Sequence, residues 1–329
     1  METPSERPLP SLDDVKRAAK TIQGIAYRTP LYRSEYLSRQ FDANVFLKLE
    51  CYQPIRVFKI RGAANKMLHL DDVQLNSGVV AVSSGNHGLA VAYVARLLGT
   101  TATIVVPTSA VPEKIAAIKE QGATVVEHGR SHAERHARGL EIQKEQGAIL
   151  VHPFDDPDVI AGQGTIGLEI LEDLPDVDTV LVPVGGGGLI AGISLAMKAE
   201  RPDTKVYGVQ SEKAPSMYES LRAGRPIRLD DSSTIADGLA PGEPGQLTFR
   251  IASKHVDSIL LTSDERIRLA TKMALESLHV LVEPSAAAVV AALGHSYHSK
   301  RGENIVLVIS GGNISLRLLR DLLNSTQST

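Results

Sequence analysis

Short apolar, β-branched runs alternate with longer amphipathic stretches along almost the whole chain, and this alternation limits the fold more than any other feature. Strands are expected at Val45–Leu49, Val79–Ser83, Thr101–Val106, Thr124–Glu127, Ile149–His152, Thr179–Val184, Lys205–Gln210, Ser258–Thr262 and Ile305–Ile309. Helices are expected at Leu12–Ile25, Gly62–Leu70, Leu89–Leu98, Pro112–Gln121, Ser131–Gln146, Ala161–Leu174, Leu189–Ala199, Asp264–Leu278, Pro284–His298 and Leu316–Leu323. Such a repeat implies an α/β fold, with mostly parallel sheets flanked by helices on both faces. Pro112 and Pro284 stand at helix starts, where a missing N–H is tolerated. Residues 76–150 read as a compact run of strands and helices, expected to form a smaller domain inserted into a larger one made of 1–75 and 151–329.

Composition excludes several classes of function. With 35 Lys plus Arg against 38 Asp plus Glu, the net charge is −3, so a nucleic-acid partner is not expected. Cys51 is the only cysteine and cannot make an internal disulfide, which fits a reducing compartment and a cytoplasmic protein. Met1–Glu6 lacks the basic-then-apolar order of a secretory signal, and the clean apolar run Ala286–Leu293 is too short to span a bilayer.

In parallel sheets, ligands bind where strands end and helices begin. Three glycine-rich turns hold that position: Ser83-Ser84-Gly85-Asn86-His87-Gly88, Gly185-Gly186-Gly187-Gly188 and Ser310-Gly311-Gly312-Asn313. Four glycines before a helix can curl backbone N–H groups around an anion, and a phosphate is the natural guest. Gly186 to Ala191 satisfies G-x-G-x-x-A, but Gln210 stands where a ribose-binding acid belongs, so a small phosphorylated cofactor fits better than a dinucleotide. The Ser83–Gly88 turn is suited to a second anion such as a substrate carboxylate, or its Ser84 and Asn86 simply cap a helix. Ser310 is placed either to meet a ring nitrogen or to cap. Lys59 is crowded by Val57, Phe58 and Ile60. A desolvated lysine can form an imine with an aldehyde, although taken alone Lys59 reads first as a lysine that snorkels to solvent.

Together these segments resemble the fold-type II pyridoxal-phosphate enzymes (tryptophan synthase β-like), and within them the threonine/serine dehydratase and serine racemase branch. Phe58-Lys59-Ile60-Arg61-Gly62-Ala63, Ser84-Gly85-Asn86-His87-Gly88, Val182-Pro183-Val184 with the tetraglycine, Ala236-Asp237-Gly238 and Ser310-Gly311-Gly312-Asn313 carry the likeness. The resemblance implies two domains with pyridoxal 5′-phosphate between them, 1–75 plus 151–329 being the large, cofactor-binding one. It implies Lys59 as the catalytic residue that holds the cofactor as an internal aldimine, with Phe58 beside the ring and Asn86 on its 3-hydroxyl. Gly185, Gly186, Gly187 and Gly188 would hold the phosphate, and Ser310 would meet the pyridine nitrogen. Ser83, Ser84, Gly85 and His87 would line the substrate-carboxylate pocket. The implied activity is an ammonia-lyase that converts a β-hydroxy amino acid, L-threonine or L-serine, to a 2-oxo acid and ammonia through an aminoacrylate. Amino-acid racemisation is the alternative, with Ser84 acting from the opposite face, and a non-catalytic phosphate-binding protein is the bland one. A homodimer is implied as well.

Departures from the family pattern matter too. Ile55-Arg56-Val57 replaces the usual Thr-Gly-Ser, which makes Arg56 a candidate reader of an unusual side chain, as in hydroxyaspartate or phenylserine. Gln210 and Ser216 occupy two positions where some relatives carry metal-binding acids, while Ala214, expected as a backbone-carbonyl ligand, is present; no metal site is predicted. The chain ends near residue 329, so feedback control through a C-terminal regulatory domain is not expected. His128, His132 and His136 read as a wet surface, and the Asn324-Ser325-Thr326 glycosylation triplet means little without secretion.

Overall fold

The structure, a computed structural model, describes residues 8–83 and 85–324. Ten strands are present among the described residues: β1 (Leu31–Arg33), β2 (Asn44–Leu49), β3 (Val79–Val82), β4 (Ala102–Val106), β5 (Thr124–Glu127), β6 (Ile149–Leu150), β7 (Thr179–Pro183), β8 (Lys205–Ser211), β9 (Ser258–Thr262) and β10 (Asn304–Ile309). They form a six-stranded sheet in the order β1-β2-β10-β7-β8-β9 and a four-stranded sheet in the order β5-β4-β3-β6. Every pairing is parallel except β1 with β2, where Leu31 faces Lys48. The α/β class with mostly parallel sheets is as expected.

Alternate residues of the central strands serve opposite faces of the large sheet. Leu181, Leu307 and Ile309 pack beneath the helix Pro284–Ala292, every residue of which is buried. Val180, Val182, Val306 and Val308 pack with Ile190 and Ile193 of the helix Gly188–Glu200 on the other face. The core around the small sheet also takes in Ile60, Ala63, Ala64 and Met67 of the helix Lys59–Leu68. That helix lies hard against the helix Pro157–Asp173: a Cβ on Gly162 would come 2.6 Å from the Arg61 carbonyl oxygen.

Several expected boundaries are corrected. The helix from Pro284 stops at Ala292 rather than His298, because Gly294 turns at φ +81 and Leu293 bridges Tyr297. The helix expected from Ala161 begins at Pro157, where Asp156 accepts from the N–H groups of Asp158 and Val159. Strand β1 and the helices Glu35–Phe41, Asp72–Ser77, Ser216–Ala223 and Gln246–His255 were not anticipated. The last of these is capped from a distance: Asp155 accepts from the N–H groups of Gln246, Leu247 and Thr248 at 2.8–3.2 Å.

Candidate active site

The turns that follow β3, β7 and β10 all open on one cavity of about 990 Å³. Lys59 begins its helix there, half-buried, with Nζ donating to the Pro153 carbonyl at 2.6 Å and lying 5.1 Å from the Phe58 ring centre. Desolvation pushes its pKa down to about 8, while the Glu283 carboxylate pulls the other way. A substantial fraction of this amine is therefore neutral near pH 7.5. Phe58 and Ser310 line the same cavity, and the Phe58 N–H donates to the Ser310 carbonyl at 3.0 Å.

Across the cavity, Gly187 sits at φ +95 and opens the helix Gly188–Glu200 with no side chain capping its first N–H groups. The turn has no room for side chains. A Cβ on Gly186 would lie 2.3 Å from the Phe154 ring, and one on Gly185 would lie 2.5 Å from the Gly238 carbonyl oxygen. Uncapped N–H groups at a helix start, with the backbone laid bare, suit an anionic ester.

Ser83, Gly85, Asn86 and His87 line the wall beside Lys59, at the start of the helix Asn86–Leu98. Ser84 lies outside the described residues. Buried His87 sets its Nε2 2.8 Å from the Val151 carbonyl oxygen, and a carbonyl only accepts, so Nε2 carries the proton. Burial, reinforced by the Lys59 charge, pushes the His87 pKa down to about 3 and keeps the ring neutral. Its Nδ1 is buried without a hydrogen-bond partner among the described residues. Asn86 donates through Nδ2 to both carboxylate oxygens of Glu283, at 2.9 and 3.0 Å, and accepts at Oδ1 from Asn313 Nδ2 at 2.8 Å.

Arg56 is not brought to the cavity: it is exposed, sits at φ 59 and is absent from the lining. Its backbone holds a turn, with N–H to Gln53 and carbonyl to the Gly312 N–H, so the position serves the chain path rather than a substrate side chain. Gln210 is fully buried, receiving the Tyr218 N–H at 2.9 Å and lying 3.4 Å from Ser216 Oγ, which donates to the Pro241 carbonyl. Half-buried His136 departs from the wet-surface reading, because it lines the cavity together with Arg135.

Sequence reasoning missed Glu283, Asn313 and the Lys114–Asp237 ion pair that crosses between the helix Pro112–Glu120 and the Ala236-Asp237-Gly238 turn. An acid directly before Pro284, at a helix start, reads as an ordinary cap, so no local signal marked Glu283. Missed too was the ionic cluster behind Lys59. Arg61 binds Glu50 through Nε and Nη2, both at 2.8 Å, and Glu169 through Nη1 at 2.6 Å, and Lys48 joins Glu169 at 2.6 Å. Burial would raise the Glu50 pKa, but Arg61 and Lys48 outweigh it and hold the carboxyl below the usual range.

These residues fit pyridoxal 5′-phosphate: a lysine of lowered proton affinity, a glycine cradle that any Cβ would fill, and an unsatisfied buried imidazole nitrogen beside them. A family model described as pyridoxal-phosphate dependent enzyme matches residues 22–311. An L-threonine ammonia-lyase of Thermotoga maritima is 46% identical over 314 residues, covering 95% of this chain and 78% of that protein. A catabolic L-threonine dehydratase of Staphylococcus aureus is 44% identical over 310 residues, covering 93% of this chain and 90% of that one. The solved structure of maize serine racemase superposes with a TM-score of 0.92 at 37% identity, over 96% of this chain and 97% of that one. The chain that builds this site thus belongs to the pyridoxal-phosphate dependent enzymes.

Proposed function

We propose that the protein is an ammonia-lyase that removes water and ammonia from L-threonine or L-serine and releases a 2-oxo acid. Lys59 carries the reading: a lysine at the head of a helix, its pKa lowered to about 8, facing an uncapped four-glycine turn across one cavity. Pyridoxal 5′-phosphate, when bound, supplies an aldehyde for amines and an electron-withdrawing ring that acidifies the substrate Cα–H. Gly185 to Gly188 and the helix start behind them would hold its ester, and Phe58 would lie beside the ring.

Ser310 would offer the cofactor's ring nitrogen a hydroxyl, which is a poor proton source, a pairing suited to expulsion of a β-leaving group. Ser83, Gly85 and the backbone N–H of His87 would hold the substrate carboxylate at the start of the helix Asn86–Leu98. Neutral His87 adds no charge there. Lys59 Nζ takes the Cα proton, a role that suits an amine with a pKa near the working pH. Racemisation of serine is the second reading, favoured by the likeness to maize serine racemase and by a serine at position 84. The protein is further proposed to be a cytoplasmic homodimer. A lone buried cysteine agrees with the compartment, and the family resemblance supports the dimer. Among the described residues no helix is long and apolar enough to cross a membrane.

Borohydride reduction followed by peptide mapping should place the cofactor on Lys59. Ammonia release should then be measured with serine, threonine, hydroxyaspartate and phenylserine, alongside chiral analysis of the amino acid that remains. Serine or threonine should turn over best, and Lys59→Ala should abolish it. Turnover that survives Lys59→Ala would overturn the mechanism, and D-serine without 2-oxo acid would favour the racemase.

A further inference from the structure

Glu283 occupies the N-cap position of the helix Pro284–Ala292, where an acid ordinarily accepts from the N–H groups of its own first turn. Its side chain makes no such bond. Both oxygens instead accept from Asn86 Nδ2, and the Asn313 N–H donates to the same carboxylate. Asn313 closes the triangle, its Nδ2 donating to Asn86 Oδ1 at 2.8 Å and to the Ile55 carbonyl at 3.0 Å. Turned over, the Asn86 amide would set its oxygen against a carboxylate and its N–H groups against another donor. Only one orientation satisfies all three residues.

Glu283 is only 5% exposed, and burial pushes its pKa up to about 7, opposed by the Asn86 hydrogen bond. Asp237 raises it further and Lys114 counters that. A buried acid is costly unless its hydrogen bonds are met, so its place beside Asn86 calls for a reason.

We propose that Glu283 is a positioning residue for the cofactor, locking the Asn86 amide with its nitrogen as the donor toward the cofactor's 3-oxygen. The proposal rests on the reading of Asn86 as the partner of that oxygen. An amide nitrogen carries two hydrogens. One is committed to Glu283, and the other remains to bond the cofactor beside the aldehyde that Lys59 captures. Without the acid, only Asn313 Nδ2 holds the amide, and its oxygen is presented to another oxygen in part of the population.

Five full-length proteins test this: wild type, Glu283→Ala, Glu283→Gln, Asn86→Ala and the Asn86→Ala/Glu283→Ala double variant, which closes a cycle. Two quantities are measured without substrate: the dissociation constant for pyridoxal 5′-phosphate, and the position and intensity of the visible band of the bound cofactor. Glu283→Ala should weaken binding on the order of tenfold and lower the band, as expected for loss of one charge-assisted hydrogen bond. Glu283→Gln retains a carbonyl acceptor for Asn86 Nδ2 and should stay within about threefold of wild type. The double variant should match Asn86→Ala. A Glu283→Ala protein that melts earlier but keeps the wild-type band and dissociation constant would overturn the proposal, leaving Glu283 a structural acid. Equal losses in the alanine and glutamine variants would do the same. If Asn86→Ala itself left both quantities unchanged, the reading of Asn86 would fall, and the proposal with it.

Discussion

Mixing cofactor-free protein with pyridoxal 5′-phosphate at different pH values interrogates the state of Lys59 directly, because only the neutral amine attacks an aldehyde. With the pKa lowered to about 8, roughly one quarter of Lys59 is neutral near pH 7.5, against about 0.1% for a lysine of ordinary pKa. Capture should then run on the order of 200-fold faster than at an exposed lysine of equal intrinsic reactivity. The sign of the pH dependence follows from the same shift. The rate should rise about tenfold per pH unit up to about pH 8 and level off above it, where the amine is already deprotonated. Stopped-flow absorbance of the visible band, recorded from about pH 6.5 to 10, resolves the two regimes. Because the Glu283 charge holds the Lys59 pKa up, Glu283→Gln should bring the plateau in at lower pH. A rate still climbing tenfold per unit beyond about pH 9.5 would show that Lys59 keeps an ordinary pKa and would refute the desolvation argument.

Three further outcomes can be checked. Gly185→Ala places a Cβ 2.5 Å from the Gly238 carbonyl oxygen, so equilibrium titration should show cofactor affinity falling more than about tenfold with the far-ultraviolet circular dichroism retained. Arg56→Gly should stabilise the protein by about 0.5–1 kcal/mol in urea unfolding, since left-handed φ costs a side chain roughly 1–2 kcal/mol and glycine's extra freedom in the unfolded chain returns part of it. Arg61→Met leaves fully buried Glu50 without its main partner and should cost about 3–5 kcal/mol, whereas Arg17→Ala, which breaks an exposed pair with Asp14, should cost about 0.5 kcal/mol or less in the same assay.

The fold was legible where burial made the sequence monotonous. Strands β3, β7 and β10 are buried on both faces or nearly so, and parallel strands of that kind appear as unbroken apolar runs. Strand β1 gave no such signal, because Leu31-Tyr32-Arg33 is a three-residue, largely exposed edge. The helix at Pro284 was overextended because the strongly apolar run leading to Leu293 favours continuation, and only the turn at Gly294 reveals the stop. The helix Gln246–His255 has Gly245 at its N-cap position, so nothing local announces it; its first N–H groups are met by Asp155, 91 to 93 residues earlier in the chain.

The site divides along the same line. Lys59, the four glycines, the Ser83–His87 turn and Ser310 act through their own turns, and a turn's chemistry is written in consecutive residues. Arg56 was misjudged because its charge was weighed and its backbone was not: the position is one where the chain must adopt φ 59, and the resulting turn leaves the side chain in solvent. Glu283 and Asn313 stayed hidden for a different reason. Their task is to hold Asn86, and they reach it only because β10 lies between β2 and β7, so that the loop beyond β10 bonds to Arg56, Phe58 and Glu283 through the main chain. Asn86 and Glu283 stand 197 residues apart, and neither local sequence bears any mark of the other. A residue whose duty is to orient another leaves its trace only in sheet order, which explains why the groups that line the cavity through their own turns were readable and the acid that bonds one of them was not.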